Sequence, residues 1–230
     1  MSWQYEGRAD QVYHCHCSMC RKAHGAPFGT YVGVPPEAFV WKSGESSITR
    51  FESSPDFNRS FCSNCGSVAP DGYKEIVSIP AGCMDDDTDI RVTAHIFATS
   101  KASWHAIGND LPRFETYPND EGPVIERPGP GPATPGVLRG SCLCGGVAYE
   151  VRAPLKMVHN CHCSRCRKAR AAAHTTNGFT KIDGVSYVRG GDKLKNYKVP
   201  QARYFTQVFC KTCGAGRPRL DAERDIAVIP

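Results

Sequence analysis

The sequence predicts a mainly β protein in which two similar modules follow one another along the chain. Three observations favour this architecture. Short runs of β-branched and aromatic residues, bounded by Gly, Pro, Asn or Asp, recur through the 230 residues and are typical of short antiparallel strands. A cysteine-rich segment near the start is repeated in the second half of the chain. All but one of the 13 cysteines fall into clusters with the close spacings of metal ligands.

The predicted strands are short and lie in both halves of the chain. They cover residues 38–41, 47–51, 75–79, 91–97, 147–151, 185–188, 204–209 and 225–229. Two helical turns are predicted at 18–24 and 164–173, because in each a serine stands at a capping position before helix-favouring Arg, Lys and Ala. No long amphipathic helix is evident, so the strands are expected to form the architecture.

The internal repeat predicts two homologous modules. Residues 12–26 match residues 158–172 at 10 of 15 positions. The pattern Phe-Cys-x-x-Cys-Gly at 61–66 recurs at 209–214, and Ile-x-x-Ile-Pro at 76–80 recurs at 226–230. The three matched segments are offset by 146, 148 and 150 residues in turn. We therefore predict a first module at residues 1–121 and a second at 137–230.

A linker is predicted between the two modules. Residues 122–136 contain five prolines and four glycines, a composition that favours extended backbone and resists packing. The alignment also predicts that the first module lacks the N-terminal Cys-x-Cys strand of the second. The second module is expected to lack the C-terminal segment that follows residue 80 in the first.

Composition argues against a membrane or exported protein. No apolar run approaches the roughly twenty residues of a membrane span, and residues 1–10 lack the apolar core of a secretory signal. We therefore expect a cytoplasmic protein without a membrane partner. Disulfides would be reduced in that compartment, so the cysteines are expected to bind metal or to act in catalysis.

The charge distribution is uneven, but it does not favour a nucleic-acid partner. The formal net charge of +5 combines −6 over residues 1–121 with +11 over residues 137–230. Residues 81–121 alone contribute 8 acidic and 3 basic side chains, and this stretch has no counterpart in the second module. A solvated basic face is therefore favoured over a nucleic-acid surface.

Four cysteines of the second module predict a closed metal site. They are Cys142, Cys144, Cys210 and Cys213, in the patterns Cys-x-Cys and Cys-x-x-Cys. Four thiolates complete a tetrahedral zinc shell and leave no open position, which makes such a site structural. The alternative, buried cysteines without a metal, requires these spacings to arise by chance.

Two cysteine triplets predict open metal sites. They are Cys15, Cys17 and Cys20 in the first module and Cys161, Cys163 and Cys166 in the second. A zinc ion with three protein ligands keeps a fourth position for water or a thiol, so each triplet is a candidate catalytic centre. The alternative is that a histidine closes each shell. His16 and His162 lie between the first two cysteines, and we expect them to point away from the ion or into solvent.

The order of the cysteine clusters resembles that of a known family. Gly-Ser-Cys-x-Cys-Gly-Gly at 140–146, Cys-His-Cys-x-x-Cys-Arg-Lys at 161–168 and Phe-Cys-x-x-Cys-Gly at 209–214 are similar to the signature of the glutathione-dependent formaldehyde-activating enzymes, also called the CENP-V/GFA domain. The first half resembles the same domain from Val12 to the segment at 111–114. The resemblance implies two tandem copies of a zinc-bearing β-tent, or Mss4-like, fold.

The resemblance also implies an activity and roles for the cysteines. The family is assigned carbon–sulfur lyase chemistry, the reversible joining of formaldehyde to glutathione by an S-(hydroxymethyl)glutathione synthase. By position, the four-cysteine set would be structural and both triplets catalytic, while Cys62 and Cys65 would supply half of a structural set. Complete sets predict about three zinc ions per chain, and Cys62 with Cys65 would hold a fourth only by borrowing ligands.

The expected partner is a small thiol such as glutathione. Four basic residues follow the triplets and could attract its carboxylates, or could form a solvated turn. They are Arg21, Lys22, Arg167 and Lys168. A lyase acting on a related thiol adduct, and a non-catalytic binding module stabilised by zinc, remain as alternatives. Cys83 is expected to be unligated, and unpaired sheet edges would permit a homo-oligomer.

Overall fold

The computed structural model describes residues 1–9, 11–86, 89–119 and 134–230, and within these ranges the chain is mainly β. The predicted linker at 122–136 lies outside the described residues except for 134–136. Neither of the two α-helices found in the described ranges has the length or the apolar character of a membrane span.

Both repeats are built from short strands and one helix of two turns. The first repeat contains β1 (Ser2–Tyr5), β2 (Gln11–Cys15), α1 (Ser18–His24), β3 (Gly29–Val34), β4 (Phe39–Ser43), β5 (Ile48–Ser54), β6 (Phe57–Cys62), β7 (Asp71–Tyr73), β8 (Ile76–Pro80) and β9 (Ala94–Ile96). The second repeat contains β10 (Leu138–Ser141), β11 (Ala148–Val151), β12 (Met157–Cys161), α2 (Ser164–Arg170), β13 (Thr175–Thr180), β14 (Val185–Arg189), β15 (Leu194–Lys198), β16 (Thr206–Cys210), β17 (Arg219–Asp221) and β18 (Ile226–Ile229).

The elements confirm the mainly β prediction. Each of the eight strands predicted from the sequence overlaps an observed strand. The helical turn at 18–24 coincides with α1, whereas α2 ends three residues before the predicted boundary at 173. The early end has a backbone cause, because Ala171 adopts the left-handed conformation with φ at 50°.

Sheet topology repeats in the two halves. The strand order β7-β8-β3-β2-β9 in the first repeat corresponds to β17-β18-β13-β12 in the second, and the antiparallel pairs β1-β4 and β5-β6 correspond to β11-β14 and β15-β16. Two strands break the symmetry. Strand β9 has no counterpart among the described residues of the second repeat, and β10 has none among those of the first.

The asymmetry changes the surroundings of the strand that leads into each triplet. In the first repeat β9 pairs in parallel with β2 and covers its edge. Val12 on β2 is only 2% exposed and packs in the apolar core of the first repeat, whereas the equivalent Val158 on β12 is 57% exposed. The unpaired edge of β12 could support self-association, and the homo-oligomer stays a prediction.

The two repeats pack against each other through matching surfaces. The rings of Phe61 and Phe209 meet edge to face with centroids 6.4 Å apart. Gly66 and Gly214 both have positive φ, and a Cβ built on either would lie 2.5 Å or less from the phenylalanine ring of the other repeat. Only glycine fits both the turn and this close approach, so the two Cys-x-x-Cys-Gly turns form a reciprocal contact.

Candidate active site and metal centres

The four cysteines of the closed set converge on one point. Cys142 follows β10 and Cys210 ends β16, and the sulfur atoms of all four lie within 4.8 Å of one another. The Cys144 Sγ is 3.3 Å from that of Cys142 and 3.8 Å from that of Cys210. A tetrahedral shell with Zn–S bonds of about 2.3 Å places its sulfurs about 3.8 Å apart. The donor set therefore fits a zinc ion.

Backbone amide donors stabilise the anionic form at two of these four cysteines. The backbone amides of Val147 and Gly146 donate to the sulfurs of Cys142 and Cys144 over 3.1 and 3.4 Å. Hydrogen bonds with Cys210 and Cys213 hold the pKa of Cys142 well below its usual range. Donors of this kind favour thiolate over thiol, which is the form that ligates metal. The structural role of the set, which the sequence predicts, stays a prediction.

The first triplet is formed where β2 meets α1. Cys15 is the last residue of β2, Cys17 is the N-cap of α1, and Cys20 lies in its first turn. The Cys17 Sγ accepts a hydrogen bond from the backbone amide of Cys20 over 3.3 Å. The three sulfurs lie within 4.8 Å of one another, and all three residues are largely buried. The spacing Cys-x-Cys-x-x-Cys thus follows from a strand end, a cap and one helical turn.

An aromatic wall and a groove surround the first triplet. The residues packed around Cys15 and Cys20 are Tyr13, Tyr31, Ile96, Phe97 and Tyr117. All three cysteines line a cavity of about 2880 Å³ that runs between the two repeats. The site is therefore sheltered on one side and open on the other.

The second triplet has the same local geometry in a different setting. Cys163 caps α2 with φ −63° and ψ 152°, close to the −59° and 152° of Cys17. The sulfurs of Cys161, Cys163 and Cys166 lie within 4.8 Å of one another, but Cys163 is exposed and none of the three lines the cavity. The described part of this repeat supplies no strand like β9 to cover it. The structure therefore distinguishes the two sites, which the sequence treats as equivalent.

A chain of hydrogen bonds links the first triplet to the second repeat. The Nδ1 of His24 lies 2.6 Å from the carbonyl oxygen of Arg170, which can only accept, so Nδ1 carries the proton and Nε2 is the acceptor. The Tyr31 hydroxyl donates to this Nε2 over 2.7 Å. The Arg59 guanidinium, on a residue 9% exposed, donates to Tyr31 Oη over 3.1 Å and to Cys20 Sγ over 3.5 Å.

This chain places a positive charge within hydrogen-bond distance of the first triplet. Burial is the largest single effect and acts to lower the pKa of Arg59, but the combined charges of Tyr31 and the three cysteines, with Cys20 foremost, outweigh it, and the pKa lies above its usual value. The pKa of Cys20 is lowered by hydrogen bonds with the other two cysteines and by Arg59. At the equivalent position of the second repeat stands Gln207, whose Nε2 donates to the Ala169 carbonyl instead. Arg59 is not among the site residues that the sequence predicts, although its mismatch with Gln207 beside Phe-Cys-x-x-Cys-Gly was the available signal.

Histidines do not join the triplets. His16 is fully buried, and its Nε2 lies 2.8 Å from Nδ1 of His95, whose Nε2 donates to Oδ1 of Asn109. Burial lowers the pKa of His16 to about 4. Within the described residues no histidine nitrogen lies close enough to either triplet to complete its shell. Of the two settings expected for His16, beside the ligands or in solvent, only the solvated one is wrong, because its partner His95 comes from β9, a strand without a counterpart in the alignment.

Three cysteines lie outside these groups. Cys62 and Cys65 belong to no cluster of three or more ligand atoms among the described residues, and the ligand role predicted for the pair stays a prediction. A hydrogen bond with Cys65 lowers the pKa of Cys62 to about 5. The Sγ of Cys83 donates to the Pro80 carbonyl over 2.9 Å, and burial raises its pKa to about 12, in agreement with an unligated thiol.

Three of the four basic residues that follow the triplets have partners in the protein. Arg21 donates to the carbonyl oxygens of His16 and Ser100, and Lys22 donates to Ser141 Oγ. Lys168 pairs with Asp85. These contacts favour a structural role for them over the capture of substrate carboxylates.

Comparisons with known proteins agree with these features. The family described as glutathione-dependent formaldehyde-activating enzyme matches residues 1–100 and 137–229. A crystal structure of a Rhodobacter sphaeroides protein is 27% identical over 40% of this chain and 83% of that chain, with a TM-score of 0.33. No curated protein matches. Because the family match covers well over half of the sequence in two segments, the chain belongs to the glutathione-dependent formaldehyde-activating enzyme family and contains two tandem copies of its domain.

Proposed function

We propose that the first triplet is the active site of a carbon–sulfur lyase that joins a small thiol, glutathione in the first instance, to formaldehyde. The observation that carries the proposal is that Cys15, Cys17 and Cys20 meet on the wall of a large groove with a buried guanidinium beside them. Membership of the family supports the pairing of glutathione with formaldehyde.

The proposed reaction is an addition without net oxidation or reduction. The thiol sulfur forms a bond to the formaldehyde carbon, and the carbonyl π bond breaks. The proton lost by the thiol ends on the former carbonyl oxygen, so the product is the S-hydroxymethyl adduct. The reverse reaction breaks the carbon–sulfur bond and returns the same two molecules.

The cysteines would hold a zinc ion, and the surrounding residues would prepare the site for an anionic sulfur. A zinc ion bound there would keep an added thiol deprotonated near neutral pH. Arg59 offsets the negative charge that accumulates when thiolates gather, and Tyr31 fixes its position. Phe97 and Tyr117 shield one side of the triplet from water, which strengthens this electrostatic effect.

The second triplet is less suited to this role. It would still bind a zinc ion, which together with the four-cysteine set gives about three ions per chain. Cys163 is exposed, however, and the triplet lies outside the groove. A thiol bound there would be exposed to solvent.

A pair of matched variants tests the proposal. Exchange between free formaldehyde and its glutathione adduct is measured by NMR in the zinc-loaded protein, above the uncatalysed rate. We expect Cys17→Ser to abolish the catalysed exchange and Cys163→Ser, at the equivalent position, to retain most of it, with circular dichroism unchanged in both.

Two outcomes would overturn the proposal. Loss of exchange in Cys163→Ser alone would move the activity to the second triplet. A parent protein that carries its full zinc content yet gives only the uncatalysed rate would favour the zinc-stabilised binding module instead.

A further inference from the structure

Two arginines of the second repeat meet at the interface between the repeats. Arg217 is 5% exposed; its Nε donates to the Ala215 carbonyl over 3.3 Å, and its Cζ lies 5.8 Å from the centre of the Tyr149 ring. Arg170, the last residue of α2, lies across the neighbouring Gly216, where a Cβ would fall 1.2 Å from its Nη1. Glycine at 216 is thus needed to admit the second guanidinium.

Neither arginine has a carboxylate partner in the described part of the chain, although the charges of Cys166 and Tyr149 act on Arg170. No ion pair among these residues involves Arg170 or Arg217. The Nη1 of Arg170 is buried without a hydrogen-bond acceptor. Burial, followed by the charge of Arg217, lowers the pKa of Arg170 to about 10. Two buried like charges with an unused donor are costly, and a bound anion would relieve both costs.

The arginine pair lies within reach of the first triplet. Arg217 and Gly216 line the same groove as Cys20. Gly25 follows the last residue of α1, and a Cβ built on it would lie 3.6 Å from Cζ of Arg170. Five residues of helix from Cys20 to Gly25 correspond to about 7.5 Å, and an extended tripeptide spans about 10 Å. A thiol of tripeptide size could therefore present its sulfur to the triplet and a carboxylate to the arginines.

The first repeat has no equivalent pair. The repeat alignment places His24 opposite Arg170 and Ala69 opposite Arg217. His24 is fully buried and is used in the hydrogen-bond chain to Arg59. Among the described residues the arrangement therefore occurs once, on the side of the groove that faces the sheltered triplet.

We propose that Arg170 and Arg217 form a binding site for an oxyanion of the carboxylate or phosphate type, and that its occupant is a carboxylate of the thiol substrate. The identity of the occupant rests on the proposed function, whereas the anion site itself rests on two neighbouring guanidinium groups that lack a carboxylate partner among the described residues and on the unused Nη1 donor of Arg170. Arginine suits this task because its planar group can donate two parallel hydrogen bonds to one carboxylate.

Ligand-induced shifts of Tm in the zinc-loaded full chain test the site without any turnover. The probes are glutathione, glutathione diethyl ester, in which both carboxylates are masked, and inorganic phosphate. The variants are Arg217→Gln and, as a matched control, Arg139→Gln, which removes an exposed arginine of the same groove that pairs with Glu150.

We expect glutathione to bind the parent protein roughly 10- to 100-fold more tightly than the diester, the range given by a charge-assisted hydrogen bond. Arg217→Gln should remove this difference, and Arg139→Gln should keep it. In the exchange assay Arg217→Gln should raise KM for glutathione by a similar factor and leave kcat nearly unchanged, because the contact lies away from the reacting atoms.

Equal binding of glutathione and its diester by the parent protein would overturn the proposal, even if Arg217→Gln failed to fold. Stabilisation by phosphate in that case would identify a site for a free anion instead of a substrate carboxylate. The proposal would also be overturned if Arg217→Gln and Arg139→Gln reduced the affinity for glutathione equally. Charge-dependent binding of glutathione by a protein that catalyses no exchange would support this site and overturn only the proposed function.

Discussion

Replacing Arg59 by glutamine would give the first repeat the residue that the second has at this position, Gln207, and would remove the cation beside the first triplet. The guanidinium lies 3.5 Å from Cys20 Sγ. For a unit charge on each group, Coulomb's law with an effective dielectric constant of about 20 gives an attraction of about 5 kcal/mol at this distance. Part of this is offset by desolvation, and charge-assisted hydrogen bonds contribute a net of about 1.5–3 kcal/mol.

The expected result is a site-specific loss of zinc affinity. Without Arg59 the Cys20 thiol holds its proton more tightly, and zinc must displace that proton. A difference of about 1.5–3 kcal/mol then weakens zinc binding at the first triplet by roughly 10- to 150-fold at a pH below the raised pKa. The effect should grow as the pH falls, because removing the cation raises the pKa of the thiols and protons then compete better with the metal. Arg59→Lys should recover part of the affinity, since it retains the charge without the planar geometry.

Zinc competition with a chromophoric chelator measures this loss. The second triplet serves as an internal control, because Arg59 makes no contact with it, and its affinity should not change. The reasoning would be refuted if Arg59→Gln altered zinc affinity at the first triplet by less than about twofold, or weakened both triplets equally.

Three further predictions concern the same elements. Tyr31→Phe removes the hydroxyl that links Arg59 to His24 and should weaken zinc binding at the first triplet by roughly fivefold, less than Arg59→Gln, in the same competition. Cys142→Ser should remove one zinc ion of about three by elemental analysis and cost about 3 kcal/mol, a fall in Tm of roughly 6–12 °C; an unchanged zinc content would exclude the four-cysteine set as a metal site. Burial lowers the pKa of His24 in the folded protein. Below about pH 6.5 the unfolded chain therefore binds a proton at this histidine that the folded chain does not bind, and the protein becomes less stable as the pH is lowered. His24→Gln should therefore show a flatter decline of Tm between about pH 7.5 and 5.5, and parallel declines in parent and variant would contradict this assignment.

Local spacing made much of the architecture predictable. The turn at α1 follows from residues that are adjacent in sequence, and the repeat transfers the same inference to α2. Several strands of the described residues were not predicted, and one of them, β13, has the sequence Thr-Thr-Asn-Gly-Phe-Thr, which lacks a clear apolar alternation. Its place is decided by pairing with β12 and β18, which are distant in sequence.

The cysteine clusters were predictable for the same reason, whereas their surroundings were not. Arg59, Tyr31 and His24 come from β6, β3 and α1, and no short pattern connects them. The difference between the two triplets depends on β9, which precedes the linker and has no repeated partner. Sequence spacing thus identifies candidate ligands, but only the fold shows which set is sheltered and which lies in solvent.

The edge-to-face contact of Phe61 with Phe209 resembles the self-complementary interface of a two-fold symmetric homodimer, except that here one chain carries both copies. In a true homodimer every mutation appears on both sides of the symmetry axis. Fusion of the copies removes that constraint, so one half can specialise in chemistry while the other keeps the scaffold intact. The two halves nevertheless depend on each other, because each phenylalanine ring packs on the glycine of the other repeat. Removal of either repeat would therefore expose an apolar surface on the one that remains.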